Sequence, residues 1–287
     1  MLRLKFDNGL TRAFVLVTAS LLASSFAVGA SGKPRTFLTQ QDRLTPMQRE
    51  IERQRQRLSS TEAEERRDAL MHLASLKRPE ASRAATAALN DVSPAVRVAA
   101  ARAILSLPSS EAAAVLLPLL KEKDEFVRRE VAFALGETHA HTATAALVEL
   151  MLHDKKPSVR GAAAVALGEI DDESSLTALA QVISGPASKK KKTKSPEEEF
   201  VVRSAVRSLG QMRSRTSVPT LIAALQDETN PIETRREAAT ALGMIGDSSA
   251  VPALQSAYDA NTDPYLSEAA RAAIRQINRA KSKGAGT

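Results

Sequence analysis

The chain has 287 residues, 43% hydrophobic and 25% charged, enough to bury a substantial core and too charged for an integral membrane bundle. Cysteine and tryptophan are absent and aromatics make up 3%, which excludes disulfides, thiolate metal sites and cysteine nucleophiles and disfavours stacking platforms for sugars or single-stranded bases. The net charge of +7 is local: Arg3, Lys5 and Arg12 against Asp7 supply +2, while Lys189, Lys190, Lys191, Lys192 and Lys194 supply the other +5, so no nucleic-acid footprint is expected.

Residues 1–12 are basic on balance, and Ala13 to Ala30 then reads AFVLVTASLLASSFAVGA without a charge. This is the order of a secretory signal peptide over 1–30, with cleavage after Ala30 or after Ala27. Export to the periplasm or extracellular space follows, the alternative being anchorage by an uncleaved N-terminal helix. Residues 31–44 read as a linker. Thr45 as N-cap with Pro46 at the first helical position then predicts a helix to about Leu58, with a thin apolar stripe of Met47, Ile51 and Leu58 suited to the end of a stack.

The rest is repetitive. Arg128 is followed by REVAFALGET, Arg160 by GAAAVALGEI and Arg235 by REAATALGMI. Counted from the arginine, alanine or valine falls at +3, a small residue at +6, leucine at +7 and glycine at +8. The same frame fits Arg66, Arg97, Val202 and Ser267, giving register positions 66, 97, 128, 160, 202, 235 and 267 with spacings of 31, 31, 32, 42, 33 and 32. Positions −1, +3, +7 and +10 share one helical face, so each segment is an amphipathic helix with an alanine-rich side. Second apolar runs lie between them, at Ala84 to Leu89, Ala112 to Leu120, Ala143 to Leu152, Leu176 to Ile183, Val218 to Leu225 and Val251 to Tyr258. Each unit is a helix pair that buries its apolar face only by stacking on its neighbours. The glycines at +8 serve close packing or the exit turn. The predicted array spans 45–280 and is followed by a flexible tail, 281–287. The 42-residue spacing holds a lysine-rich inserted loop, 185–199, either a solvated turn or a weak contact to an anionic surface.

The pattern V-R-x-x-A-A-x-A-L-G-x-I, from about Thr61 to Ile277, resembles the short HEAT-like repeat also seen in phycobilisome lyase subunits. The resemblance implies an all-α superhelix of about seven helix pairs, an armadillo-like α-solenoid. It also implies an acidic residue about six positions before each arginine, forming a ladder between repeats. Asp91 with Arg97 and Asp154 with Arg160 keep that spacing, Glu122 substitutes before Arg128, and Asp227 precedes Arg235 by eight. At Val202 and Ser267 the ladder should break, which puts regular stacking there in question.

Chemistry is thinly supplied. Glu137, His139 and His141 form a Glu-x-His-x-His cluster, either a metal ligand set or a solvated turn; no metal or cofactor is expected. His72 stands at +6, where a partly buried packing role is expected, and His153 sits at a helix end. HEAT-like hydroxylases bind iron through His-Glu dyads, and no His-Glu pair occurs in this chain. Phosphate loops, nucleophile elbows and zinc helices are missing as motifs.

HEAT-like superhelices line their concave side with the second helix of each unit. There, +1 carries Arg67, Val98, Arg129, Gly161, Arg203 and Arg236, and +5 carries Met71, Arg102, Phe133, Val165, Arg207 and Thr240. Half are arginine and none is acidic. Arg67, Met71, Arg102, Arg129, Phe133, Val165, Arg203, Arg207 and Arg236 are therefore the candidate partner-binding residues, suited to an acidic extended polypeptide, with ordinary solvated surface as the other reading. The expected function is a non-enzymatic protein-binding scaffold of the cell envelope. A lyase-like or chaperone subunit that holds a prosthetic group or client is the alternative.

Overall fold

The computed structural model describes residues 44–185 and 195–284. The segments expected as a signal peptide (1–30) and a linker (31–44, up to residue 43) and the lysines at 189–194 lie outside the described residues. Among the described residues there is no strand, and no helix is long and apolar enough to cross a membrane.

Seven helix pairs follow one another from residue 46: α1 (Pro46–Arg57) with α2 (Ala63–Ser75), α3 (Pro79–Ala85) with α4 (Pro94–Ala103), α5 (Ser109–Leu116) with α6 (Glu125–Glu137), α7 (Thr144–His153) with α8 (Pro157–Ile170), α9 (Leu176–Ser184) with α10 (Pro196–Gln211), α11 (Val218–Gln226) with α12 (Ile232–Ile245), and α13 (Val251–Ala260) with α14 (Pro264–Gly284). The second helix of each pair carries the register position. This is the all-α solenoid that the repeat frame predicts.

Local sequence sets the starts. Thr45 closes a capping box with Gln48, its Oγ1 accepting from Gln48 N while Gln48 Oε1 accepts from Thr45 N at 2.9 Å, and Pro46 occupies the first helical position. Asp124 caps α6 by accepting from the amides of Phe126 and Val127. Ser195 caps α10 the same way, with Pro196 first in the helix and Glu197, Glu198 and Glu199 in the first turn. Those glutamates were expected within the loop 185–199. They belong to the helix because Ser-Pro-Glu-Glu-Glu is a start signal, with carboxylates favoured at the positive end of the helix dipole. At the other end α14 runs to Gly284, into the segment expected as a flexible tail.

Successive register helices touch directly, from α2 to α14, whereas the first helices of successive pairs meet sparingly. The reason is size. The glycine at +8 of one unit faces the small +6 residue of the next: a Cβ on Gly210 would lie 2.7 Å from Ala241 Cβ, and one on Gly243 would lie 2.9 Å from Ala273 Cα. Such contacts are closer than side chains allow, so helix backbones pack against each other along the register row. These glycines do not form the exit turn. The left-handed residue comes at +11 instead, at Lys77, His139, Asp171, Arg213 and Gly246. His72, expected to be partly buried, is exposed, because no register helix precedes α2 to cover its +6 position. Stacking is not interrupted at Val202 or Ser267: α10 packs on α8 and α12, and α14 on α12, through the same small-residue contacts.

Candidate functional site

Arg66, Arg97, Arg128 and Arg160 each tie together two successive turns. Arg128 donates from Nη1 to the carbonyls of Glu122 and Lys123 in its own unit, at 2.7 and 3.0 Å. Its Nε and Nη2 reach Asp154 of the next unit at 2.7 and 3.1 Å. Arg66 repeats this on Ser60, Thr61 and Asp91. Arg97 bonds the Asp91 carbonyl at 2.7 Å and Glu122 Oε2 at 3.2 Å, and Arg160 bonds the Asp154 carbonyl and the Glu198 carboxylate. The expected ladder between repeats forms, and the six-residue spacing builds it in two steps. An arginine binds the backbone of the acidic residue before it, and that residue's carboxylate binds the preceding unit's arginine. After the insertion the acidic partner is Glu198, four residues before Val202. Arg235 donates from Nε to the Leu225 carbonyl at 2.9 Å.

These links are electrostatically strong because they are shielded. The Arg66 fork holds the Asp91 carboxyl below the usual aspartate range against the opposing effect of burial. At Asp154 burial pushes upward, but hydrogen bonds from Arg128 and the Lys156 amide leave it lowered.

The opposite face of the register helices holds the candidate binding residues. The arginines are not a bare basic strip. Arg102 and Arg129 both grip Glu130, which is buried, Arg129 at 3.0 Å. Arg207 forks onto Glu237 at 2.8 and 3.0 Å, and Arg67 pairs with Glu64 at 2.6 Å. The +1 and +5 columns contain no acid, but the +2 column supplies Glu130 and Glu237, and helical geometry places +2 on the same face. Arg203 and Arg236 have no carboxylate partner among the described residues, and the buried Nε of Arg203 has no acceptor. Gly161, expected on the open face, is covered by the Phe200 ring, which a Cβ there would meet at 2.1 Å. Met71 is exposed, Phe133 and Val165 are half-buried.

One column was missed. Position −2 carries Phe126, Phe200 and Tyr265, with fractional exposures of 55%, 38% and 71%. Arg129 lies over the Phe126 ring at 5.2 Å, and Arg236 over the Tyr265 ring at 5.5 Å. The signal was available: after residue 44 the chain has five aromatics, and three share this register position.

Glu137, His139 and His141 do not converge. His139 Nδ1 meets the Glu169 carbonyl at 2.6 Å, and His141 Nδ1 lies 3.5 Å from Asp172. Among the described residues no group of three His, Asp or Glu is placed to hold a metal ion.

Helix pairs stacked in one direction, with turns stapled by a repeated arginine and one helix row left open, define a repeat scaffold of the α-solenoid class. The chain belongs to the HEAT-repeat family, whose model matches residues 51–132, 113–194 and 190–275. Among solved structures it is similar to YibA of Escherichia coli, with 18% identity over 80% of this chain and 81% of that one and a TM-score of 0.52. It is also similar to the CpcE–CpcF complex of phycocyanin lyase from Nostoc, with 22% identity over 90% of this chain and 99% of that one, TM-score 0.48. Human deoxyhypusine hydroxylase matches with 20% identity over 80% of this chain and 96% of that one, TM-score 0.40. Comparison with curated proteins gives no match.

Proposed function

We propose that this HEAT-repeat array is an exported, non-enzymatic scaffold that binds an extended polypeptide along the open face of its register helices. The observation that carries the reading is the −2 column. A chain almost without aromatics leaves Phe126, Phe200 and Tyr265 on one face at one register position, two of them beneath arginines. Exposed aromatic and arginine side chains are the commonest energetic anchors of protein interfaces, because they bury large areas with few rotors to immobilise. Placed on every second repeat, in the third, fifth and seventh helix pairs, they suit a partner that runs along the row. Arg203 and Arg236 suit carboxylates on that partner.

Capture from the native envelope, with bound protein identified by mass spectrometry, tests this. Phe126→Ala with Tyr265→Ala, and separately Arg203→Glu with Arg236→Glu, should each lose the partner while the helical spectrum is kept. Undiminished capture by both variants sinks the proposal. Export is tested by N-terminal sequencing of the envelope-fraction protein, which should begin near Ser31; an intact Met1 in the cytosol argues against it.

A further inference from the structure

Between α6 and α8 the open face contains a cavity of about 150 Å³, lined by Arg102, Glu130, Phe133, Ala134, Glu137 and Glu169. Its charges are unevenly satisfied. Arg102 is turned onto Glu130, which Arg129 grips from the other side, a triad of net charge +1 set against the two carboxylates Glu137 and Glu169. Glu137 and Glu169 form no ion pair among the described residues, and they face the same space. Oε2 of Glu169 is fully buried and no donor reaches it. The carboxylate fits there only because residue 136 is glycine: a Cβ would sit 2.3 Å from that oxygen. Burial, reinforced by the Glu137 charge, pushes the Glu169 carboxyl above the usual glutamate range, and His139 acts in the opposite sense. A buried carboxylate oxygen without a donor is costly, and a cation held in the cavity beside Glu137 and Glu169 offsets their charge. The Phe133 ring supplies a wall against which a methylene stem or guanidinium plane can lie.

We propose that this cavity is a subsite for one cationic side chain, lysine or arginine, of the polypeptide bound along the register row. The inference rests on the scaffold reading above and adds a direction to it. The cation lies over the third and fourth helix pairs, and carboxylates of the same segment lie over Arg203 and Arg236 in the fifth and sixth.

The test uses the full-length, isotope-labelled protein and two small probes, Nα-acetyl-lysine amide and its neutral isostere Nα-acetyl-norleucine amide, followed by amide chemical shifts. The lysine probe should shift Phe133, Gly136 and Glu169 saturably. The norleucine probe, and the lysine probe on the E137Q/E169Q double variant, should bind at least about tenfold more weakly. Equal response to both probes, no response to either, or an unchanged response after the double substitution overturns the subsite. The norleucine comparison is made on the native chain, so it stands even if the variant misfolds. A native partner held equally by wild type and E137Q/E169Q overturns the subsite and leaves the scaffold reading intact. Binding of the lysine probe by a protein that captures no partner does the reverse.

Discussion

All three nitrogens of the Arg128 guanidinium are committed to fixing two turns, and Asp154 in return accepts from Arg128 and from the Lys156 amide at 2.8 Å. The side chains are 13% and 7% exposed, which separates this link from Arg83–Glu111, also a fork but 52% and 38% exposed. Exposed pairs contribute about 0–1 kcal/mol, whereas truncating a shielded, fully bonded partner strands the other charge. Asp154→Ala should therefore cost about 2–3 kcal/mol in urea denaturation at neutral pH, and Glu111→Gln less than about 1 kcal/mol. The pH sense follows from the lowered Asp91 and Asp154 carboxyls. A carboxyl held down in the folded state stabilises above its unfolded pKa, and that contribution is lost as pH falls through the folded value. Acid unfolding of wild type should begin as these two protonate, and Asp154→Ala should show a shallower acid limb. Glu169, raised by burial and Glu137, runs the other way: its contribution is present at low pH and lost as pH rises through its folded value. E169Q should accordingly stabilise at neutral pH, and equal midpoints for it and wild type would contradict this.

At the scale of the helix, the decisive device is the glycine-to-small contact between neighbours. Gly210→Ala should gain roughly 1 kcal/mol of helix propensity, yet its new Cβ meets Ala241 Cβ at 2.7 Å and Cα at 2.8 Å. Overpacking between helix backbones costs about 1–3 kcal/mol, so the net expectation is destabilisation, read as a lower thermal midpoint. A raised midpoint would show that α12 can move away without loss. This device was legible in sequence because glycine recurs at +8 in four copies and a small residue at +6 in six, all in one frame, as was the Thr45–Pro46 start of α1. Lateral pairing was not: Arg102 finds Glu130 and Arg207 finds Glu237 across about one repeat, and a column read along +1 and +5 cannot show an acid that arrives from +2 of the next helix. The start of α10 was hidden for a different reason. Its glutamates follow a run of lysines, and composition suggested a single charged loop where Ser195 and Pro196 mark a boundary.

In the whole array, stability is a sum of neighbour interfaces, so the weakest interface decides where it opens. That interface is α4 against α6. At +8, where the next four units have glycine, this unit has Leu105, and α4 ends at Ala103 before reaching that position. A leucine side chain there cannot admit the backbone of α6 as Gly136 admits that of α8. The ladder adds little, since Arg97 reaches Glu122 through a single bond at 3.2 Å where Arg66 and Arg128 make forks. By contrast α6, α8 and α10 pack closely and share the Arg128–Asp154 and Arg160–Glu198 links. Native-state hydrogen exchange should then show α1 to α4 opening together at a lower free energy than α6 to α10, with the boundary near residue 107. Dilute denaturant should lower the protection of the N-terminal block first and leave the aromatic column from Phe126 onward in place. Uniform protection from α2 to α12 would mean instead that the array unfolds as one unit and that Leu105 carries no mechanical consequence.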